Sequence, residues 1–258
     1  MATGLTPPRR RALLAATEPA RTLATAGGMA ALLPLLRWAP RGEPHPVLVL
    51  PGLLASDLST RVLRAWLGRL DYPVVGWELG RNRGPSQEVV SELPRLVDRL
   101  AREHGTTVSI VGWSLGGIYA RRLARRAPRQ VRQVISLGSP FAAGQVLGQS
   151  PGARAYRRLA PVTPSGRRST RPSSASPLPV PSTAVYSRWD GVVDWRACRQ
   201  RPGPRSENVA VRSSHLGMGH DPAVLWVVAD RLAQPRDAWR PFQRPTRFGL
   251  ATLFPAED

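Results

Sequence analysis

Apolar residues along the chain form short continuous runs that alternate with stretches of helical periodicity. The runs, each bounded by turn residues, lie at 47–50, 72–77, 107–111, 131–137, 183–186 and 208–211. A short apolar run of this kind indicates a strand buried on both faces, as in a parallel sheet. Apolar side chains at helical spacing fill 56–70, 86–104, 115–126 and 222–232. Strands that alternate with helices predict an α/β fold, with a mostly parallel central sheet and helices on both faces.

Changes in composition divide the chain into three predicted parts. Residues 1–40 are predicted to be an N-terminal helical leader, 41–232 the α/β domain, and 233–258 a tail rich in Pro and Arg that lies outside the core. Within the domain, 141–181 interrupts the alternation, and from residue 161 it holds mostly Pro, Ser, Thr and Arg. This composition is typical of a flexible insertion, in the place of a lid.

The chain has a formal net charge of +20, and all 37 of its basic residues are arginine. Such a charge attracts nucleic acid or anionic lipid in some proteins. Here the arginines are spread along the chain, without the clustering and aromatic interleaving of a nucleic-acid-binding face, so we expect no specific nucleic-acid partner. The densest group is expected to be a solvated face on or after a helix: Arg121, Arg122, Arg125, Arg126, Arg129 and Arg132.

The N-terminal region contains no clear signal peptide. The arginines at 9–11 precede an apolar stretch, but Glu18 and Arg21 interrupt it after too few residues. The next apolar run, 22–36, is shorter than the roughly 20 residues that span a bilayer. We predict a core-packing helix here, with membrane-surface contact through residues 12–36 as the alternative. The chain is expected to be cytoplasmic, either free or membrane-associated.

The pentapeptide 112–116, Gly-Trp-Ser-Leu-Gly, joins a predicted strand to a predicted helix. A serine nucleophile exposed above a sheet needs a sharp strand-to-helix turn, and the glycines leave room for that turn. A second match at 148–152 has no strand before Ser150, and Pro151 has no N–H to offer an oxyanion. We therefore predict that Ser114 is the nucleophile and that Ser150 is a loop residue.

An oxyanion hole needs two backbone N–H donors. One comes from the residue after the nucleophile, which is Leu115, and the other from a loop after an earlier strand. The loop Pro51-Gly52-Leu53-Leu54 follows the first strong strand, and its glycine permits close approach of backbone to substrate. The N–H of Leu53 is the predicted second donor, and that of Leu54 is the alternative.

A serine hydroxyl needs a base, and the chain contains four histidines. His45 lies between two prolines and His104 ends a charged helix, so both are predicted to be solvent-exposed structural residues. His215 directly follows the last predicted strand and is favoured as the base. His220 adjoins the start of the final helix and is the alternative.

The carboxylate that orients the base is expected between Ser114 and His215 in chain order. Asp190 lies in the turn after the strand at 183–186 and is favoured for this role. Asp194 follows two valines and is predicted to support the loop instead. The favoured carboxylate accepts the imidazole N–H, fixes the tautomer and stabilises the imidazolium.

Several stretches together resemble bacterial α/β-hydrolases of the esterase/lipase type, with an actinobacterial look: 51–54, 77–82, 112–117, 137–141, 186–193 and 214–219. The resemblance covers residues 41–232. It implies the α/β-hydrolase fold, a Ser114–Asp190–His215 triad, no cofactor, and hydrolysis of lipid-like or small acyl esters. An acyltransferase or thioesterase is the alternative, because it uses the same triad. A non-catalytic membrane- or polyanion-binding protein on this fold is a second alternative.

Overall fold

The computed structural model describes residues 8–142 and 175–256 of the chain. Its strands are β1 Val47–Leu50, β2 Val74–Val75, β3 Val108–Trp113, β4 Val131–Leu137, β5 Ser182–Ser187 and β6 Ser206–Val211. These strands form one sheet in the order β2-β1-β3-β4-β5-β6, and every neighbouring pair is parallel. The predicted parallel α/β architecture is confirmed.

The helices in the described ranges are α1 Pro8–Ala16, α2 Glu18–Leu36, α3 Arg61–Gly68, α4 Gln87–Glu103, α5 Leu115–Arg126 and α6 Pro222–Leu232, with 3-10 turns at Trp195–Cys198 and Arg247–Leu253. The bounds of α5, α6 and β4 agree with those predicted from the sequence. α3 begins later than predicted, because residues 56–60 form successive turns with hydrogen bonds three residues apart. β2 is shorter than the predicted run at 72–77.

The strands are buried on both faces because helices cover each side of the sheet. Along β1, Val47 and Val49 join a core cluster that includes residues of α3 and α6. Leu48 and Leu50 point the other way and join a cluster that includes residues of α4 and α5. Successive side chains of a strand alternate between its faces, so a strand covered on both sides needs apolar residues at every position.

The N-terminal helices pack on this domain. Leu36, at the end of α2, is buried in the core, and Met29 and Leu35 pack against the same cluster. α2 lies beside α6. The predicted core-packing helix is therefore present along the inner face of α2, whereas its outer face is exposed.

The prediction that the tail at 233–258 lies outside the core is wrong at Leu250 and Phe254. Leu250 and Phe254 are buried in the same core cluster as α6. Phe242 packs against that cluster, and its backbone N–H donates to the Glu207 carboxylate at 2.7 Å. A few apolar residues dispersed among many Pro and Arg create no periodicity, so the sequence pattern did not reveal that they dock.

The predicted flexible insertion at 141–181 is wrong at both of its ends. Phe141 and Ala142 are buried, as are Leu178 and Val180. The prolines around Leu178 and Val180 are typical of a loop. Composition does not distinguish a flexible loop from an ordered loop that buries apolar side chains. Residues 143–174, which include Ser150, lie outside the described residues.

The predicted solvated arginine face is wrong at Arg121. This guanidinium is buried, donates to Gln200 Oε1 at 2.7 Å and to the Ser176 carbonyl at 2.8 Å, and lies 4.0 Å from the Phe141 ring centroid. Burial, and to a lesser extent the charge of Arg125, lowers the pKa of Arg121 to about 9. These partners are up to 79 residues away along the chain, so the arginine cluster in the sequence gave no sign of them.

Candidate active site

The carboxyl ends of β1 and β3 form the topological switch point of the sheet, where ligands bind in open parallel sheets. From β1 the chain first adds β2 on one side and then adds β3 and the later strands on the other side. The direction of winding therefore switches between β1 and β3. Gly52 follows β1 and Ser114 follows β3. A Cβ atom on Gly52 would lie 3.2 Å from the Cβ of Ser114, so the glycine lets the two loops approach closely.

Ser114 occupies a strained turn between β3 and α5. Its φ of 53° and ψ of −117° cost a residue with a Cβ about 1–3 kcal/mol. A Cβ on Gly112 would overlap the Gly117 Cα, and a Cβ on Gly116 would overlap the Leu50 carbonyl. The glycines therefore allow β1, β3 and α5 to pack tightly enough to hold the serine in this conformation. This is the sharp strand-to-helix turn predicted from the sequence.

The hydroxyl of Ser114 is connected to a carboxylate through an imidazole. His215 Nε2 is 3.1 Å from Ser114 Oγ, and His215 Nδ1 is 2.6 Å from Asp190 Oδ2. Both are hydrogen-bond distances. With Nδ1–H donating to the carboxylate, Nε2 is free to accept the serine proton. The structure thus brings together the three residues that the sequence selected as nucleophile, base and orienting acid.

The surroundings of His215 favour its charged form. Burial alone lowers the pKa of His215, but the neighbouring Asp190 carboxylate and, further away, the Glu18 carboxylate raise it, and the net pKa lies above the usual value. An imidazole that gains a proton next to a buried carboxylate is stabilised as the imidazolium. This environment suits a group that takes a proton during a reaction.

Asp190 and Asp194 have different tasks. Asp190 Oδ1 accepts from the N–H groups of Val192 and Val193 at 2.8 and 2.7 Å, which leaves Oδ2 for His215. Asp194 caps the 3-10 turn that follows it and forms an ion pair with Arg11 at 3.0 Å. Asp194 therefore supports the loop, as its position in the sequence indicated.

The other histidines have other partners. His220 Nε2 lies 3.2 Å from a backbone carbonyl of α2, and His104 is exposed, as predicted. The predicted exposure of His45 is wrong, because its Nε2 bonds the Ser109 hydroxyl at 2.7 Å inside the protein. Burial lowers the pKa of His45 to about 4. Its flanking prolines indicated a surface loop, but that segment lies against the sheet.

The two predicted oxyanion donors lie on the loops that meet at Ser114. Leu115 is the first residue of α5, where a backbone N–H has no acceptor within the helix. The N–H of Leu54 donates to the Asn82 carbonyl at 2.7 Å, so the alternative donor is occupied. The N–H of Leu53, next to Gly52, stays the predicted second donor.

Asn82 is a residue whose role sequence reasoning missed. Besides accepting from Leu54, it donates its side-chain amide to the Pro51 carbonyl at 3.0 Å and its backbone N–H to the Ala55 carbonyl at 2.8 Å. It is fully buried. These bonds hold the loop after β1 in shape. The only sign in the sequence was that Asn82 belongs to the stretch 77–82, which carries part of the family resemblance.

Glu18, at the start of α2, is a second residue that was missed. Its Oε2 accepts from the Gly191 N–H at 3.0 Å, and its Oε1 accepts from the Leu216 N–H at 2.9 Å. These amides directly follow Asp190 and His215 in the chain. One buried carboxylate therefore ties together the two loops that carry the acid and the base.

Arg21 completes this contact between α2 and the loops. It pairs with Glu18 at 2.7 Å and donates to the Trp189 carbonyl at 2.5 Å. In the sequence, Glu18 and Arg21 served only as interruptions of an apolar run. Two charged residues three positions apart in an otherwise apolar helix indicated that the helix makes a polar contact with another part of the protein. The reason is that charged side chains are rarely buried without a partner.

Comparison with known proteins identifies the fold. No family model matches the sequence, and no curated protein does. Among solved structures, lipase B of Aspergillus fumigatus is similar with a TM-score of 0.58 and 17% identity, over 85% of this chain and 60% of that chain. This chain thus spans about 60% of the length of that lipase.

Two shorter proteins are similar over nearly their whole length. A pyrethroid hydrolase from Sphingobium faniae has a TM-score of 0.52 and 16% identity, over 76% of this chain and 100% of that chain. A thermophilic esterase from Thermogutta terrifontis has a TM-score of 0.50 and 16% identity, over 75% and 92% respectively. At these identities the likeness concerns the fold. The chain has the α/β-hydrolase fold.

Proposed function

We propose that this chain, on its α/β-hydrolase fold, is a serine hydrolase that cleaves carboxylic ester bonds through an acyl-enzyme. The observation that carries the proposal is the hydrogen-bonded series from Ser114 Oγ through His215 to Asp190, at 3.1 and 2.6 Å. The series lies at the carboxyl edge of the sheet, and its serine stands where the loops after β1 and β3 meet, beside N–H groups suited to an oxyanion. Geometry and roles of this kind define a catalytic triad.

In the proposed reaction, Ser114 Oγ attacks the acyl carbon while His215 Nε2 takes the hydroxyl proton. The N–H groups of Leu53 and Leu115 donate to the oxyanion of the tetrahedral intermediate. The imidazolium then gives its proton to the departing alkoxide, which leaves as the alcohol. Water repeats the sequence on the acyl-enzyme and releases the acid. Asp190 accepts the imidazole N–H throughout and stabilises the imidazolium.

The substrate class proposed is a lipid-like or small acyl ester. Leu54, beside the proposed oxyanion donor, is 50% exposed, and Leu216, beside the base, is 48% exposed. Exposed apolar side chains next in the chain to the proposed donor and to the base favour an apolar acyl or alcohol group over a charged one. The names of the similar structures, a lipase, a pyrethroid hydrolase and an esterase, support the same class.

The test is Ser114→Ala, assayed on p-nitrophenyl esters of short and medium chain length. We expect kcat to fall about 10⁴-fold or more, because the loss of a triad nucleophile leaves only binding and oxyanion stabilisation. Ser59→Ala is the matched control, since Ser59 is exposed and its hydroxyl donates to the Ser56 carbonyl in the same turn. An unchanged rate in Ser114→Ala contradicts the proposal.

A further inference from the structure

The outer face of α2 carries no charged side chain between residues 22 and 36. The exposed residues on this stretch, here called the α2 outer face, are Leu23, Ala24, Ala26, Gly27, Ala30, Ala31, Leu33 and Pro34. Leu23 is 75% exposed. A surface helix ordinarily presents charged and polar residues to water. A contiguous exposed apolar surface marks a place where something binds.

The inner face of α2 is fixed to the domain, so only the outer face is available to a partner. Thr22 Oγ1 lies 3.1 Å from Ser214 Oγ, Glu18 bonds both catalytic loops, and Leu36 is buried in the core. No helix in the described ranges is long and apolar enough to cross a membrane.

Exposed arginines precede and follow the α2 outer face in the chain. Arg9 and Arg10 lie on α1 before it, and Arg37 lies directly after it. Trp38, also after it, is 56% exposed, with the Arg37 guanidinium 5.3 Å from its ring centroid. Arginine and tryptophan at the ends of an apolar helix face suit the boundary between lipid headgroups and acyl chains. Each such arginine adds to the attraction between the protein and an anionic leaflet.

We propose that the α2 outer face docks on an anionic lipid surface, with α2 lying in the plane of the headgroups. Charge complementarity selects this occupant. A chain with a net charge of +20 is attracted to an anionic bilayer. Two copies that paired through this face would instead bring their flanking arginines together, and like charges across an interface are unfavourable.

Docking at this face places the catalytic loops close to lipid. α2 is a single helix, about 10 Å across, with lipid on one side and the Glu18 contacts to the loops of Asp190 and His215 on the other. Leu13 on α1 and Leu216 beside the base are also exposed. We infer that the substrate is an ester drawn from the lipid surface, a step that rests on the proposed serine hydrolase activity.

The docking test is sedimentation of the full chain with vesicles of phosphatidylcholine, with and without an equal part of phosphatidylglycerol. We expect binding to the anionic vesicles that weakens at high salt. Leu23→Glu should lower the binding constant about ten-fold or more, because a charged carboxylate cannot replace a leucine side chain buried among acyl chains. Val90→Glu on α4 is the matched control, since Val90 is an exposed helical residue, 54% accessible, and the charge change is the same.

Activity separates this inference from the proposed function. Leu23→Glu should hydrolyse a soluble short-chain ester at the wild-type rate and a vesicle-embedded ester at least about ten-fold more slowly, in line with its lost binding. Ser114→Ala should bind vesicles like the wild type and hydrolyse neither. Wild-type protein that cleaves soluble esters but stays in the supernatant with anionic vesicles overturns docking alone.

Two further results contradict lipid docking. One is a dimer in light scattering that Leu23→Glu converts to a monomer while vesicle binding is absent, which assigns the face to a second copy of the chain. The other is an equal loss of vesicle binding in Leu23→Glu and Val90→Glu, which assigns binding to net charge alone. Because Leu23 is 75% exposed, thermal unfolding of Leu23→Glu should match that of the wild type.

Discussion

The serine and its two partners lie at the same edge of the sheet but are held by different means. The turn at Ser114 is set by glycines next to it in the chain, at 112, 116 and 117, which allow α5 to pack against β3 and against β1. Asp190 and His215 lie on two loops that Glu18 joins from positions 173 and 198 residues away from the amides it bonds. The nucleophile is thus encoded locally, whereas the alignment of acid and base depends on the N-terminal helices.

This difference has a consequence for how each half tolerates change. Backbone atoms pack tightly around the serine turn, so a substitution that adds volume there should destabilise the fold. The acid–base half depends on a few charged hydrogen bonds, so it responds to lost charge. Substitutions in the serine turn should therefore mainly lower stability, and substitutions around Asp190 and His215 should mainly lower activity.

The largest expected effect is that of Asp190→Asn, which removes the charge in contact with His215. We expect kcat on a soluble ester to fall about 10⁴-fold, because the amide no longer holds the productive tautomer or stabilises the imidazolium. Asp194→Asn is the control, because Asp194 caps a turn and pairs with Arg11. Equal losses in the two variants would contradict the assignment of the acid.

Gly116→Ala tests the packing around the serine turn. The new methyl group would overlap the Leu50 carbonyl, so we expect the free energy of unfolding in urea to fall by about 1–3 kcal/mol or more. Gly27→Ala is the matched control, because nothing lies within 4 Å of its Cβ position. Alanine in the middle of α2 should stabilise the protein by roughly 0.5–1 kcal/mol. A Gly116→Ala protein as stable as the wild type would argue against packing around the serine turn.

Glu18→Gln tests how α2 aligns the loops of Asp190 and His215. The amide keeps one acceptor oxygen, but its NH₂ group then faces one of the N–H groups that Glu18 now bonds. Loss of one charged hydrogen bond costs about 1.5–3 kcal/mol, so kcat/KM on a soluble ester should fall about ten-fold. Glu92→Gln is the control, since Glu92 forms an exposed pair with Arg95 and should leave the rate unchanged. Full activity in Glu18→Gln would remove α2 from the alignment of the triad.

The smallest effect is a shift in pH dependence. Burial lowers the pKa of His215, but Asp190 and Glu18 outweigh it, so kcat/KM should rise with pH at values above those of an ordinary histidine. In Glu18→Gln this rise should move to lower pH. The raised pKa also means that the charged pair stabilises the fold at low pH and that this contribution is lost as the pH rises through the folded pKa. A profile that stays in place in Glu18→Gln would show that Glu18 acts only on structure.

Much of the fold was predictable because each strand and helix reports its own surroundings. The run 47–50 is apolar throughout because both faces of β1 are covered, and the pattern shows that directly. The serine turn was predictable for the same reason, since Ser114 and the residues that shape it follow one another. Asp190 was distinguished from Asp194 by its place in the turn after β5.

What failed has one physical cause in common. His45 bonds Ser109, Arg121 bonds Gln200, and Phe254 packs near α6, and each partner is distant in the chain. Polar residues and scattered aromatics show no periodicity, so whether they are buried depends on what the rest of the chain brings to them.

The amino-acid sequence by itself determined the order of strands and helices, the turn at Ser114 and the chain order of nucleophile, acid and base. These properties follow from local sterics and from the alternation of apolar residues, which act over a few positions. Only the tertiary structure decided that Glu18 joins the loops of Asp190 and His215 and that Asn82 shapes the loop after β1. Such hydrogen bonds join residues that are distant in the chain and that packing brings close together. They therefore produce no periodic pattern in the sequence.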